Sequence, residues 1–505
     1  MADTQRWRRR TLLRGVGAAL GVAVPGVASA TTSDGRDDAR DAGSSGHLVD
    51  HPVDHRLRSG AERTGSNAAV ATDVSASAWP QFHADAAKRG RSPASGPTEA
   101  RQAWAFPTGA VPATPTPTQS GGDTATDDGG AQVASSPAVA DGTVYAGSTD
   151  GSLYAVDAAS GDEAWSFETG GQVLSSPTVV GVAGESGGAA DDGTVYVGSH
   201  DGFLYAVDAT GGDEIWSFET DGNVFSSPTY ADGTLYVGSQ AGTCYAVDAA
   251  SGDEVWSESL DERIDSTPAV VDGTVYVGVW HDDRTGSVRA LDAETGDENW
   301  SFPAQGEVPA TPAVVDGTVY VGDYASVVYA VDAESGDLDW GREIDGLALS
   351  SPVVDAGVLY VGTQGGTLWA FDAANGDLEW SFDAGGPVYS SPALADGVIY
   401  VGSYDGNLYA VDTDGEEVFA LGTEGRVYSS PAVVDGTAYV GSADGRLYAV
   451  GAGGEGGTPT DGGTPTDGGT DTDTSSGSGP GFGVLAGAAG LGAVAWRRLR
   501  SGDAE

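Results

Sequence analysis

The chain has 505 residues, with 74 Asp or Glu against 23 Lys or Arg and a net charge of −51. A surface this acidic repels nucleic acid and anionic membranes, which excludes both as partners held by charge. With 79 Gly, 39% hydrophobic residues and one cysteine, Cys244, the composition suits many short strands joined by tight turns, and it excludes an internal disulfide or a site needing two thiolates.

Residues 1–30 (MADTQRWRRRTLLRGVGAALGVAVPGVASA) carry a basic region, a modest apolar run and a small-residue cleavage site at Ala28-Ser29-Ala30. The paired Arg9 and Arg10 before Thr11-Leu12-Leu13 resemble a twin-arginine export signal, which implies transport of an already folded protein. Residues 31–78 are polar, hold His47, His51 and His55, and are expected to be disordered.

From residue 79 to 450 the chain repeats a unit that reads SSPAVVDGTVYVGSxDGxLYAVDAxSGDExWSFET. The prolines of its SSP motif, Pro137, Pro177, Pro228, Pro268, Pro312, Pro352, Pro392 and Pro431, are separated by 40, 51, 40, 44, 40, 40 and 39 residues. A period near 40 belongs to supersecondary units that stack on their neighbours. Short β-branched and aromatic runs alternate with DG and SGD turns, so each unit is a four-stranded antiparallel meander, a propeller blade. A strand with Trp165, Trp216, Trp256, Trp300, Trp340 or Trp380 ends six units, and Phe419 serves in the seventh. The eighth stops after Leu447-Tyr448-Ala449-Val450, while Trp104 in RQAWAFPTG precedes the first SSP without belonging to it. The expected fold is therefore all-β: an eight-bladed propeller closed by an N-terminal strand that completes the last blade. Closure removes exposed sheet edges, and a monomer is expected.

In AVDAASGDEAW (residues 155–165), Asp157 can accept bonds from the turn that follows, Gly161 supplies a positive φ, and Trp165 offers a large ring for packing between blades. The spacing Ala–x–Asp–x–x–Ser/Thr–Gly, then Trp four residues on, resembles the tryptophan-docking motif of quinoprotein-type (PQQ-like) propellers. It returns at Ala246, Asp248, Ser251, Gly252 and Trp256, at Ala290, Asp292, Thr295, Gly296 and Trp300, and at Ala330, Asp332, Ser335, Gly336 and Trp340. The resemblance implies a staple between blades rather than chemistry. It leaves two functional expectations. Dehydrogenases of this type hold pyrroloquinoline quinone (PQQ) with calcium, a catalytic Asp and commonly a vicinal disulfide; assembly factors like BamB use the same blades and bind no cofactor. The lone Cys244, where sister repeats have Leu153 or Leu204, rules out the disulfide and favours the second.

No local Ser-His-Asp or phosphate-loop pattern stands out. His281-Asp282-Asp283 and Asp412, Asp414 and Glu417 are weak metal candidates, better read as acidic turns. Asn299-Trp300-Ser301 is a glycosylation sequon whose Trp300 is expected to be buried. Variation between otherwise identical units is the better signal. At the turn after the second strand and just before each SSP stand His200, Phe225, Trp280, Tyr324, Tyr389, Tyr404 and Tyr428, candidates for contact with a protein, peptide or glycan at the rim or funnel.

Residues 451–479 are a Gly/Thr/Pro/Asp stalk. In residues 480–505, Pro480-Gly481-Phe482, an apolar run and Arg497, Arg498 and Arg500 resemble the PGF-CTERM sorting signal of archaeal surface proteins, which implies a lipid tether replacing the tail. The near absence of lysine among so many carboxylates resembles secreted proteins of salt-loving archaea; in molar salt the Debye length falls to roughly 3 Å and screens their repulsion. The reading is a non-catalytic binding or scaffolding propeller on the outer face of the cell membrane, with no cofactor and an unknown partner. The alternatives are a PQQ-dependent oxidoreductase or a glycan-binding protein.

Overall fold

The computed structural model describes residues 78–451 except 80, 86, 89, 110–130, 182–192 and 261. The export signal, the stalk, the sorting tail and most of the stretch from 31 to 78 lie outside the described residues. The ordered elements are strands, and they form eight sheets. Blade 1 runs through Ala138–Ala140, Thr143–Gly147, Ser152–Asp157 and Glu163–Glu168, and blades 2 to 7 repeat that antiparallel meander with innermost strands Thr178–Val180, Thr229–Ala231, Ala269–Val271, Ala313–Val315, Val353–Asp355 and Ala393–Ala395. Blade 8 has Ala432–Val434, Thr437–Gly441 and Arg446–Gly451, and its outermost strand is Gln102–Pro107, paired as Trp104↔Ala449 and Phe106↔Leu447. The expected closure from upstream of the first repeat is what the structure shows.

The blades are short because the repeat forces it. Two-residue DG turns, with Asp232 and Gly233 both at positive φ, reverse the chain after three residues of inner strand. Alternating positions such as Leu153, Ala155 and Leu204 are fully buried between sheets. At the outer edge each indole N–H donates to a carbonyl of the next blade: Trp104 to Ala158 (2.9 Å), Trp165 to Ala209 (2.9 Å), Trp256 to Ala293 (2.9 Å) and Trp380 to Thr413 (2.8 Å). The ring lies flat on the glycine of that neighbour's SGD turn. A Cβ on Gly161 would stand 2.7 Å from the Trp104 ring, so only glycine admits the indole there, and its φ of +77° agrees.

At the inner edge the second residue of each SSP motif makes a circle. The N–H of Ser136 donates to Ser176 Oγ (3.0 Å), Ser176 to Ser227, Ser227 to Thr267, Thr267 to Thr311, Thr311 to Ser351, Ser351 to Ser391, Ser391 to Ser430, and Ser430 back to Ser136 Oγ at 2.9 Å. The first serine folds the entry of its own blade: Ser135 Oγ accepts from Gly147 N–H at 2.6 Å. In the fifth blade Ala310 stands in that place.

The described residues between 78 and 101 form a strap across the rim opposite the SSP motifs. Trp79 exchanges backbone bonds with Val139 of blade 1 (2.7 and 2.8 Å), Gln81 Oε1 accepts from Tyr230 N–H of blade 3 (3.4 Å), Ala87 O accepts from Val314 of blade 5 (3.1 Å), and Arg91–Ser92 lies parallel to blade 7. The strap thus closes one end of the axial channel and leaves a blind funnel. It also repairs the joint between blades 7 and 8. Among the described residues the eighth blade has no docking turn after its third strand, and Pro97 O there accepts the Tyr400 hydroxyl at 2.8 Å, as Ala249 O accepts that of Tyr196. Arg91 pairs with Asp355 at 3.0 Å.

Within the strap, burial pulls His83 down to about 3, helped by the nearby Lys88 charge, and pulls Lys88 down to about 7 against the opposing pull of Asp85. The unfolded chain then binds more protons than the folded one between about pH 3 and 6.5 for His83, and between about pH 7 and 10.5 for Lys88. Stability therefore rises with pH through each window. Urea midpoints followed across pH in a buffer of bulky organic anions will show both rises, with His83→Phe flattening the lower and Lys88→Met the upper. The hydroxyl circle gives a second test. Ser136→Ala leaves the buried Ser430 N–H without an acceptor and lowers unfolding free energy by about 1–3 kcal/mol in urea titrations. Ser136→Thr, which keeps the hydroxyl as Thr267 and Thr311 do, costs less.

Candidate functional site

The entry to each inner strand alternates. Val133, Val173, Val224, Ile264, Val308, Ala348, Val388 and Val427 are fully buried between blades, so the residues on either side of them turn to the funnel mouth. The turn after the second strand joins them on the same rim: His200 N–H donates to Gln172 O, Trp280 to Arg263 O, Tyr324 to Glu307 O and Tyr404 to Pro387 O, each at 2.9 Å. All seven candidate contact residues therefore lie on this mouth.

They meet in groups. Tyr404 is packed edge-on between Tyr389 (4.3 Å between ring centroids) and Tyr428 (4.6 Å), with the Arg426 guanidinium 5.4 Å above its ring. Trp280 lies 5.1 Å from Tyr324 and under the Arg263 guanidinium at 4.5 Å. His200 and Phe225 are looser, at 6.0 Å, and Phe225 is 38% exposed. Asp265, 8% exposed, takes Arg263 Nε at 2.8 Å and its terminal nitrogen at 2.6 Å, and accepts from Gln240 at 3.0 Å. Burial lowers His200 below the ordinary histidine value and pushes the Tyr324 hydroxyl up to about 12, with Asp265 adding to the latter. Burial likewise raises Tyr404 beside the other two tyrosines. Among the described residues, buried side-chain nitrogens without a hydrogen-bonding partner occur only at Trp280 Nε1, His200 Nε2 and the His83 ring. Two of those three side chains stand in this mouth.

Arg263, Arg426 and Glu307 escaped the sequence reading. They sit two residues before the pre-SSP position, and the alternation about the buried Val or Ile is the signal that would have found them. The docking residues Trp104, Trp165, Trp216, Trp256, Trp300, Trp340 and Trp380 lie at the outer edge, away from the mouth. Asp157 Oδ1 accepts from Ala159 and Ser160 N–H at 3.1 and 2.7 Å, which holds its carboxyl below the usual range. Cys244 is fully buried, and its thiol is pushed up to about 12 by that burial. The acidic turns are turns: Asp283 Oδ1 takes Thr285 N–H and hydroxyl, and Asp412 Oδ1 takes Asp414 and Glu416 N–H. In the sequon Asn299 is exposed and Trp300 is only half-buried, contrary to the expected burial, because the docked indole covers one face. On the opposite rim a cavity of about 1030 Å³ opens between the strap and blades 5 and 6, lined by Asp85, Arg91, Asp316, Asp355, Asp372 and Glu379 among others.

The buried carboxylate of the mouth, Asp265, is held by Arg263 and Gln240, and Tyr389, Tyr404 and Tyr428 pack edge-on against one another. Among the described residues no three His, Cys, Asp or Glu gather as a metal ion requires.

Comparison with known proteins bears on the fold. Residues 98–226 match a family described as the β-propeller domain of glucose/ethanol/alcohol dehydrogenase (PQQ), and residues 229–460 match the β-propeller of the beta-alanine-activating enzyme. No curated protein matches the chain. BamB from Moraxella catarrhalis is similar over 63% of this chain and 96% of its own, at 21% identity and a TM-score of 0.53. A europium-containing methanol dehydrogenase is similar over 76% and 99%, at 14% identity and 0.60. Quinohemoprotein alcohol dehydrogenase from Comamonas testosteroni is similar over 79% and 84%, at 17% identity and 0.58. At these identities the likeness is one of fold, and with the repeat, the closure and the docking geometry the described chain is an eight-bladed β-propeller whose residues 98–226 are similar to the PQQ propeller family.

Proposed function

We propose that this propeller is a non-catalytic binding module that recognises an exposed peptide segment of a partner protein at its funnel mouth. The reading rests on one observation: two clusters of packed aromatic rings on the mouth, Trp280 with Tyr324 beside Arg263 and Tyr389, Tyr404 and Tyr428 beside Arg426, with Trp280 Nε1 and, on blade 2, His200 Nε2 buried without hydrogen-bonding partners. An unpaired buried donor costs about 1–3 kcal/mol, which a ligand carbonyl at Trp280 would recover. Rigid Trp and Tyr rings beside Arg are the side chains that dominate binding energy at protein interfaces. BamB has a similar fold, and a buried Asp265 already held by Arg263 and Gln240 is less suited to calcium, which favours the binding reading over the oxidoreductase. A glycan would find the same rings, but it would not call for the paired arginines.

The setting completes the proposal. The twin-arginine-like signal in residues 1–30 would export the folded wheel, and residues 480–505 would tether it to the outer face of the membrane through the stalk of residues 451–479. The carboxylate shell keeps such a domain soluble and off the anionic lipid surface beneath it.

The test is a displayed peptide library selected on the purified protein. Selected peptides will bind the parent and lose at least tenfold in affinity, about 1.4 kcal/mol, on both Trp280→Ala and Tyr404→Ala, with unfolding midpoints near the parent's. Peptides that bind all three proteins equally would sink the reading. A stoichiometric complex with added PQQ and calcium, seen by quinone absorbance, would replace it with the oxidoreductase.

A further inference from the structure

We propose that the segment seated at the funnel mouth is basic: one apolar or aromatic residue packs on the rings, and Lys or Arg beside it contacts a ring of carboxylates on the rim. The inference rests on the peptide reading above and names the chemistry of that peptide.

Among the described residues, seven of the eight blades place an aspartate at the same joint of the mouth rim. In blades 1, 2, 7 and 8 it comes from the turn after the second strand, and a third-strand tyrosine donates to it. Tyr154 reaches Asp150 and Tyr205 reaches Asp201 at 2.8 Å, Tyr409 reaches Asp405 at 2.5 Å, and Tyr448 reaches Asp444 at 2.6 Å. Blades 3, 5 and 6 have Ala241, Ala325 and Gly365 at that turn position, and their carboxylate arrives from elsewhere. Asp221, leaving blade 2, takes the Ser239 and Thr243 hydroxyls at 2.5 and 2.6 Å. Asp323 stands where sister turns have Ser148 or Ser199 and takes the Tyr329 hydroxyl at 2.9 Å. Asp345, leaving blade 5, takes the Trp369 indole N–H at 2.9 Å.

Satisfying a tyrosine hydroxyl does not require a charge. On the opposite rim the second-strand tyrosines donate to main-chain carbonyls, Tyr196 to Ala249 O at 2.8 Å and Tyr320 to Ala373 O at 3.2 Å. The mouth uses a carboxylate where the other rim uses a carbonyl, and it draws that carboxylate from three different places in the repeat. Asp150 and Asp405 are exposed, and each accepts two bonds, one from its tyrosine and one from the backbone N–H two residues on. A carboxylate has about four lone-pair sites, so both keep capacity for a cation from outside.

The cations of the mouth leave this capacity open. Arg263 is taken by Asp265 and Arg446 by Glu424. In blade 4 Arg289 stands where the other third strands have Tyr or Trp, and it pairs with Glu298. The arginines of blade 4 crowd the Trp280 side, whereas Asp405 directly follows Tyr404 in the chain. The basic residues of the partner therefore belong beside the tyrosine cluster. Exposed ion pairs add little affinity but sort one partner from another, so the carboxylates set which peptide is accepted.

The experiment takes peptides selected on the full chain and measures their binding in one fixed salt. Lys or Arg will recur within a few positions of the aromatic anchor. Exchanging such a lysine for glutamine will weaken binding about threefold, exchanging it for glutamate will weaken it further, and arginine will be tolerated. Asp405→Asn, which keeps an oxygen for the Asn407 N–H, will weaken the lysine peptide about threefold and leave its glutamine counterpart unchanged. If that variant alters the unfolding midpoint, the exchanges within the peptide decide alone. Peptides that depend on Trp280 and Tyr404 yet carry no basic residue, or bind equally well with glutamate, overturn the basic partner and leave the peptide reading standing. Peptides indifferent to Trp280 and Tyr404 overturn both.

Discussion

The circle of hydroxyls around the axis sets the terms for the rest of the molecule. Each blade's N–H is accepted by the next blade's Ser or Thr, and the last bond, Ser430 to Ser136, joins residues 294 apart in sequence. A circle of that kind closes only if every blade presents its entry at the same height and angle. The Gly147–Val173 type of contact just outside it, where a Cβ on the glycine would stand 2.4 Å from the valine, leaves no slack. The indole on the neighbour's glycine fixes the outer edge. Blades held at both edges in this way cannot splay, and the residues flanking the serines inherit their positions.

The eighth joint shows what closure demands when the repeat runs out. Among the described residues blade 8 has neither an outermost strand of its own nor a docking turn, and one upstream segment supplies both: Gln102–Pro107 carries the indole, and Pro97 lends the carbonyl that a turn would have offered to Tyr400. The same segment crosses the axis first. It therefore turns a pore into a cup and places the only lysine of an acidic chain where no water reaches it.

Chemistry gathers at the mouth because the frame leaves the sequence free only there. Val224 and Ile264 are held by packing, and Ser226 and Ser266 by the bonds each makes to a glycine N–H, whereas Phe225 and Asp265 between them are held by neither. The result is uneven around the ring, with the crowded tyrosines gathered on blades 7 and 8. An asymmetric surface on a symmetric scaffold is how one wheel comes to prefer one ligand.

Much of this was legible beforehand. The repeat period, the turn residues and the stray Trp104 strand gave eight blades and their closure, because each follows from local periodicity and a strand count. The aromatic members of the mouth were visible as variation inside a fixed pattern. The serines were visible too, but only as landmarks; that they form a circle depends on eight entries converging on an axis, which no local window contains. The strap was harder still. Trp79, His83 and Lys88 belong to no repeat, and their burial comes from spanning blades whose inner strands lie more than 50 residues away in sequence. Periodicity and turn chemistry are properties of neighbours along the chain, so the sequence determined the blades and their number; side chains meeting across an axis are set by closure, so the tertiary structure alone decided the hydroxyl circle, the strap beneath it and the burial of Lys88 and His83.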